Sequence, residues 1–121
     1  MQYALLIYQP EEVMEHWSEA DLKEALTRHG SLQEKAKANS AFLLANELTP
    51  STTATTVKRR AGKTTILDGP FAETKEPLVG LYVFDCKNLD EAIEYAKGIP
   101  NVDKGSIEIR PNAHYEDLPT G

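Results

Sequence analysis

Two segments of this chain are apolar at nearly every position instead of at alternate ones. Residues 3–8 read Tyr-Ala-Leu-Leu-Ile-Tyr, and residues 78–85 read Leu-Val-Gly-Leu-Tyr-Val-Phe-Asp. Both have the length of a strand, and Pro10 stops the first. Neighbours along a strand point to opposite faces, so each segment puts apolar side chains on both sides of the sheet it joins. Helices cover one face, and Leu5, Ile7, Leu81 and Val83 cannot all point at them. A second copy packed sheet to sheet is the simplest cover, which makes a homodimer the expected assembly.

The other elements follow from their periodicities. Residues 11–16 read as a polar connector. Ser18 with Asp21 three positions on has the form of a capping box and starts a helix. Leu22, Ala25, Leu26, His29, Leu32 and Ala36 then recur every three or four residues as one stripe, until Asn39-Ser40 ends it. Residues 41–45 open a second strand. Residues 52–60 and 63–68 form a hairpin about the turn Ala61-Gly62. Asn88 to Glu91 caps a second helix with Leu89, Ala92, Ile93 and Ala96 inward and Gly98 as its stop, and residues 106–110 alternate as a last strand before Pro111. The order β-α-β-β-β-β-α-β is an α+β, ferredoxin-like βαββαβ plan with an inserted β-hairpin, an antiparallel sheet with both helices on one face. Residues 1–111 form the expected domain, and residues 112–121 a polar, loose tail.

Composition excludes several classes. At 121 residues the chain suits one domain with one core. No apolar run reaches the roughly 20 residues of a membrane-spanning helix. The opening residues enter a strand without a basic region, so no secretory leader is expected, and the single cysteine, Cys86, suits a cytoplasmic protein. A net charge of −6 argues against nucleic acid, and the one basic cluster, Lys58-Arg59-Arg60 with Lys63, only flanks the hairpin turn.

Residues 68–76, Asp-Gly-Pro-Phe-Ala-Glu-Thr-Lys-Glu, stand out between the hairpin and the most apolar strand. Asp68 has two readings. As a turn device it uses Gly69 and Pro70 to fix the bend; as a functional group it is a general base, or the orienter of a histidine, at a cleft mouth. His29 also has two, since a histidine on an apolar stripe needs a partner. It is either a core histidine satisfied locally or the acid/base of a pair with Asp68, which would fix its tautomer. Glu73, Lys75 and Glu76 are either a solvated charge set or a polar rim to the same cleft. Arg110 is a candidate for bidentate carboxylate binding, or for an ion pair with Asp68, Glu73 or Asp85. Ser40, Phe71 and Tyr82 are candidate pocket liners. No histidine spacing suits a metal, no glycine-rich loop suits a nucleotide, and Cys86 reads as a small hydrophobe, so no cofactor is expected.

The chain resembles the YCII-related family, in the branch marked by an Asp-Gly-Pro-Phe (DGPF) signature. The resemblance lies in residues 3–8, 54–57, 68–76, 89–92 and 105–111. It implies a dimeric ferredoxin-like fold and a cleft for a small ligand between sheet and helix or near the dimer seam. For the wider superfamily it implies a His-Asp catalytic dyad, here His29 and Asp68, and relatives that process chlorinated aromatic breakdown products. It also implies an association with sigma-factor-like transcription proteins. The chain departs from the family in Asn39-Ser40-Ala41, where a glycine-rich turn is usual, and in Leu44-Ala45-Asn46-Glu47, where a Gly-Gly-Glu-like stretch is usual. Two readings of function stand. One is a small-molecule-binding homodimer with cofactor-free proton-transfer chemistry of the lyase, isomerase or dehydrochlorinase kind. The other is a non-catalytic sensor or interaction module beside a sigma-factor-like regulator.

Overall fold

The computed structural model describes residues 1–114. The order is β1 (Gln2–Tyr8), α1 (Glu11–Glu15), α2 (Glu19–Ala38), β2 (Phe42–Glu47), β3 (Thr55–Arg60), β4 (Lys63–Asp68), β5 (Leu78–Asp85), α3 (Leu89–Lys97) and β6 (Ser106–Pro111), with 3-10 turns at Ser51–Thr53 and Pro100–Asp103. Four strands form an antiparallel sheet in the order β2-β5-β1-β6, and β3 and β4 pair as a separate ribbon. Without the ribbon this is the βαββαβ plan, and the fold is ferredoxin-like α+β. Residues 11–16, read as a connector, instead hold the short α1, whose first residue follows Pro10, a pre-set φ for helix entry.

Both central strands alternate cleanly. Tyr3, Leu5 and Ile7 of β1 face the helices opposite Phe84, Tyr82 and Gly80 of β5. They join Leu32 and Ala36 of α2 and Ala92, Tyr95 and Ala96 of α3 in one core, so both helices lie on one face. Leu5, Phe84 and Ile99 have no accessible surface, and each such burial contributes about 1.5–3 kcal/mol. Phe84 stacks on Tyr82 at 5.2 Å and meets Tyr95 edge-on at 5.0 Å. The inward stripe differs from expectation at two ends. Leu89 is exposed and Tyr95 takes its place, while in the early turns of α2 Ala25 is buried but Leu22 and Leu26 are exposed.

The other face carries Ala4, Leu6 and Tyr8 of β1 beside Leu81 and Val83 of β5, all half-buried, with Glu108 and Arg110 of β6 across from Leu6 and Ala4. Among the described residues no helix covers it. The ribbon is also open: Val57 and Ile66 lie opposite each other at 66% and 70% exposure. Its tip is a two-residue turn in which Ala61 (φ 52°) and Gly62 (φ 77°) are both left-handed, as a primed hairpin turn requires. At the far end Asn112 is tied to Gln2 through both backbone and side chain, while residues 115–121 of the expected loose tail lie outside the described residues.

The caps follow the sequence. Ser18 Oγ accepts from the Asp21 backbone and Asp21 Oδ2 from the Ser18 backbone, completing the capping box of α2. At its other end the Ala41 N–H donates to the Ala36 carbonyl and the Ser40 N–H to the Lys37 carbonyl, a Schellman arrangement. Ser40 occupies the left-handed position at φ 57°, where glycine is the usual residue. A side chain at this position therefore costs strain. Ser40→Gly is expected to stabilise the chain by about 1 kcal/mol, read as a rise in Tm of roughly 4 °C; an unchanged or lower Tm counts against the strain.

Candidate functional site

The early turns of α2 stand away from the sheet, and the wedge between them is a cleft of about 850 Å³. That volume suits a small organic ligand. Leu22, Ala25, Leu26, His29 and Gln33 of α2 form one wall, and Ile7, Val79, Gly80 and Tyr82 of the sheet form another. Residues 45–50 of β2 and its extension close one side; Met14 and Glu15 of α1, with Trp17, close the end. Glu11 Oε1 accepts from the Ser51 N–H at 2.6 Å, which ties α1 to the segment after β2. Gly80 sets the width here. A Cβ at this position would lie 2.6 Å from the Asn46 carbonyl oxygen, so a side chain would push the edge strand away.

At the cleft wall His29 Nδ1 lies 2.6 Å from the Tyr82 hydroxyl, and Gln33 Nε2 donates to the same oxygen at 3.1 Å. His29 and Gln33 are one turn apart on α2, so their side chains reach the same point. With Gln33 donating to the phenol oxygen, the Tyr82 hydrogen is free to go to His29 Nδ1, and in that arrangement the neutral ring carries its proton on Nε2. Asn101 also hydrogen-bonds His29, and its Nδ2 donates to Gln9 Oε1 at 3.0 Å. Gln9 is fully buried, and its Nε2 has no partner among the described residues. Gln9, Asn101, His29, Tyr82 and Gln33 thus form one polar chain through an apolar interior.

Burial is the main influence on both titratable members. It pushes His29 below its ordinary 6.5, against the opposing effects of the Asn101 hydrogen bond and the Glu47 charge; Arg28 adds slightly to the depression. Burial also raises the Tyr82 phenol, with the Gln33 hydrogen bond pulling the other way. Both groups are therefore neutral near neutral pH, joined by a short hydrogen bond.

Of the residues singled out in the sequence, the structure brings His29 and Tyr82 together. Asp68 ends β4, exposed and outside the cleft lining, and the place beside His29 Nδ1 is held by Tyr82. Gly69 turns the chain at φ 100° and its N–H donates to the Ala54 carbonyl at 2.6 Å, so the backbone of this segment forms the turn that closes the hairpin base. Phe71 is 78% exposed, and Glu73 and Lys75 lie in the same exposed loop, away from the cleft. Ser40 serves the α2 terminus. Arg110 lies on the opposite sheet face near Tyr8, and Asp85, one of its expected partners, is paired with the Met1 amino group at 3.1 Å. Burial lifts the Cys86 thiol to about 11, which fits a packed hydrophobe.

Sequence reasoning missed Gln33, Asn101, Gln9, Glu47 and Trp17. Gln33 had a signal, being four residues beyond a histidine on an amphipathic helix. Asn101 had none, because a 3-10 turn after Pro100 carries it to the site.

The YCII-related domain matches residues 1–113. An uncharacterised protein of Rhizobium meliloti strain 1021 is 39% identical over 124 residues, covering 99% of this chain and all of that protein. The chain belongs to the YCII-related family. In this YCII-related chain the polar network has a consequence for stability. Folding lowers the His29 pKa, so the unfolded chain takes up that proton first and acidification through 6.5 favours unfolding. Tm is expected to fall as pH drops below 6.5, before carboxylates protonate near about 4, and His29→Gln is expected to blunt that fall. An equal fall in both proteins would show that another group is responsible.

Proposed function

We propose that this chain is a small-molecule-binding protein whose cleft supports cofactor-free proton transfer. The observation that carries this reading is the His29–Tyr82–Gln33 constellation in the wall of an 850 Å³ cleft whose lining combines Leu, Val, Met and Trp side chains with Glu11, Glu15 and Glu47. Tyr82 takes the place beside His29 that the resemblance gave to Asp68. A ligand proton passes to the phenol oxygen as the phenol's own proton passes to His29 Nδ1, and the reverse movement returns a proton to another ligand atom. Positioned acid–base groups of this kind contribute typically about 10²–10⁴-fold to a rate. Isomerisation and elimination at a carbon beside a polarising group are the reactions such a relay serves.

A panel of small aromatic, lactone and amine compounds tests the binding part. Stabilisation by mass action is expected for at least one class and is expected to vanish in Ala45→Trp, which fills the cleft from the exposed edge strand. For the chemistry, Tyr82→Phe is expected to lower turnover of a bound substrate about 100-fold or more while leaving a full complement of folded protein. Binding without any effect of Tyr82→Phe on turnover would confine the cleft to a sensing role.

The same proposal includes a homodimer. The half-buried face of Leu6, Leu81 and Val83, together with the open Val57–Ile66 pair, is supported most simply by a second copy. Light scattering is expected to give twice the mass of the 121-residue chain, and Leu81→Glu to give the single mass. A monomer in the unsubstituted protein would remove the dimer and leave the cleft.

A further inference from the structure

The charged residues that line the cleft, among the described residues, are all acidic. Glu11, Glu15 and Glu47 line it, and among the described residues no lysine or arginine does. The two charged groups one would recruit for an anion are elsewhere. Arg28, next to His29 in sequence, is held by Asp103 Oδ2 at 2.7 Å and does not line the cleft. Arg110 lies on the far face of the sheet. Much of the remaining wall is apolar, with Leu22, Leu26, Val79 and the single tryptophan of the chain, Trp17. We infer that the cleft selects an amine with an apolar body and rejects a carboxylate of the same shape. This rests on the cleft reading above and assigns its ligand class.

Three physical effects lead to this assignment. A carboxylate entering the cleft meets three carboxylates and no fixed cation, while losing its water in a partly enclosed, apolar space. An ammonium gains the same charges as counter-ions and can also lie against the indole face of Trp17. The neutral state of His29 removes the one group that could have served an anion as a cation, because burial holds its pKa down. Glu47 is the nearest of the acids in electrostatic effect. Its charge favours the His29 imidazolium, while Arg28 opposes it. The polar end of an amine therefore belongs beside His29, Tyr82 and Glu47, and its ring among the leucines and Trp17. Glu11 contributes its charge at the α1 end, where one of its oxygens is already engaged by Ser51.

Trp17 provides the readout. Phenethylamine, phenethyl alcohol and phenylacetate share one ring and differ in the charge of the side group. Titration of each into the full chain at neutral pH and low salt, followed by Trp17 fluorescence, is expected to give phenethylamine a Kd at least about tenfold below that of phenylacetate. The alcohol is expected to fall between them. In the double variant Glu15→Gln, Glu47→Gln, both residues being partly or fully solvent-exposed, the amine advantage is expected to shrink to within about threefold. Phenylacetate binding as tightly as phenethylamine, in a manner lost in Ala45→Trp, overturns the charge assignment and leaves the cleft reading intact. An amine preference unchanged in the double variant overturns it as well. No fluorescence response to any of the three at millimolar concentration removes the cleft reading and this inference with it.

Discussion

The register in which β1 lies against β5 places Tyr3, Leu5 and Ile7 across from Phe84, Tyr82 and Gly80. Every other feature is built on that pairing. It gives the helices a surface on which Leu32, Ala36, Ala92 and Tyr95 close the core, and it leaves Leu6, Leu81 and Val83 on the other side. It also positions a tyrosine and a glycine two residues apart on one face of β5. Tyr82 reaches out to α2, and Gly80 leaves the space into which the edge strand and a ligand both fit. A slip of one residue would turn all of these side chains to the wrong face.

The cleft arises from an imbalance along α2. Its later half is buried by small and aliphatic residues, whereas its earlier half carries leucines that find no sheet beneath them. A polar chain from Gln9 to Gln33 crosses the junction between these halves. Such a chain is costly unless its members satisfy one another, and here each of the four members from Asn101 onward has a hydrogen bond within it. Burial, acting against the chain's own hydrogen bonds, holds both His29 and Tyr82 neutral, while Gln9 Nε2 has no partner among the described residues. The surrounding acids then set the sign of the field without taking part in the chain. Shape, proton position and charge in the cleft thus have three separate structural sources.

Much of the fold was legible because its signals are local. The capping box at Ser18, the hairpin turn at Ala61-Gly62 and the alternation of β1 depend on residues a few positions apart, and each formed where the sequence placed it. The site was less legible. His29 and Tyr82 were both singled out, yet no spacing rule joins residues 53 positions apart, and their contact became visible only when α2 lay across β5. Asp68 stood out for its place in a signature, and within one chain that signature builds a turn at the hairpin base instead of a wall of the cleft. Leu22 and Leu26 matched the helical period and still escaped the core, since periodicity gives the face of a helix but not how far the sheet extends beneath it.

By itself the sequence determined the order of the strands and of the two longer helices, the ferredoxin-like plan, the family and the presence of apolar side chains on both faces of the central strands, but not the short α1. These follow from period, caps and turn residues, which act over a few residues of chain. Tertiary structure decided which polar groups meet. The partner of His29, the width set by Gly80 and the gathering of Glu11, Glu15 and Glu47 around one apolar space all depend on how α1, α2 and β2 pack against β5. Hydrogen bonds and charges act through distances in space, and those distances exist only once the core has closed.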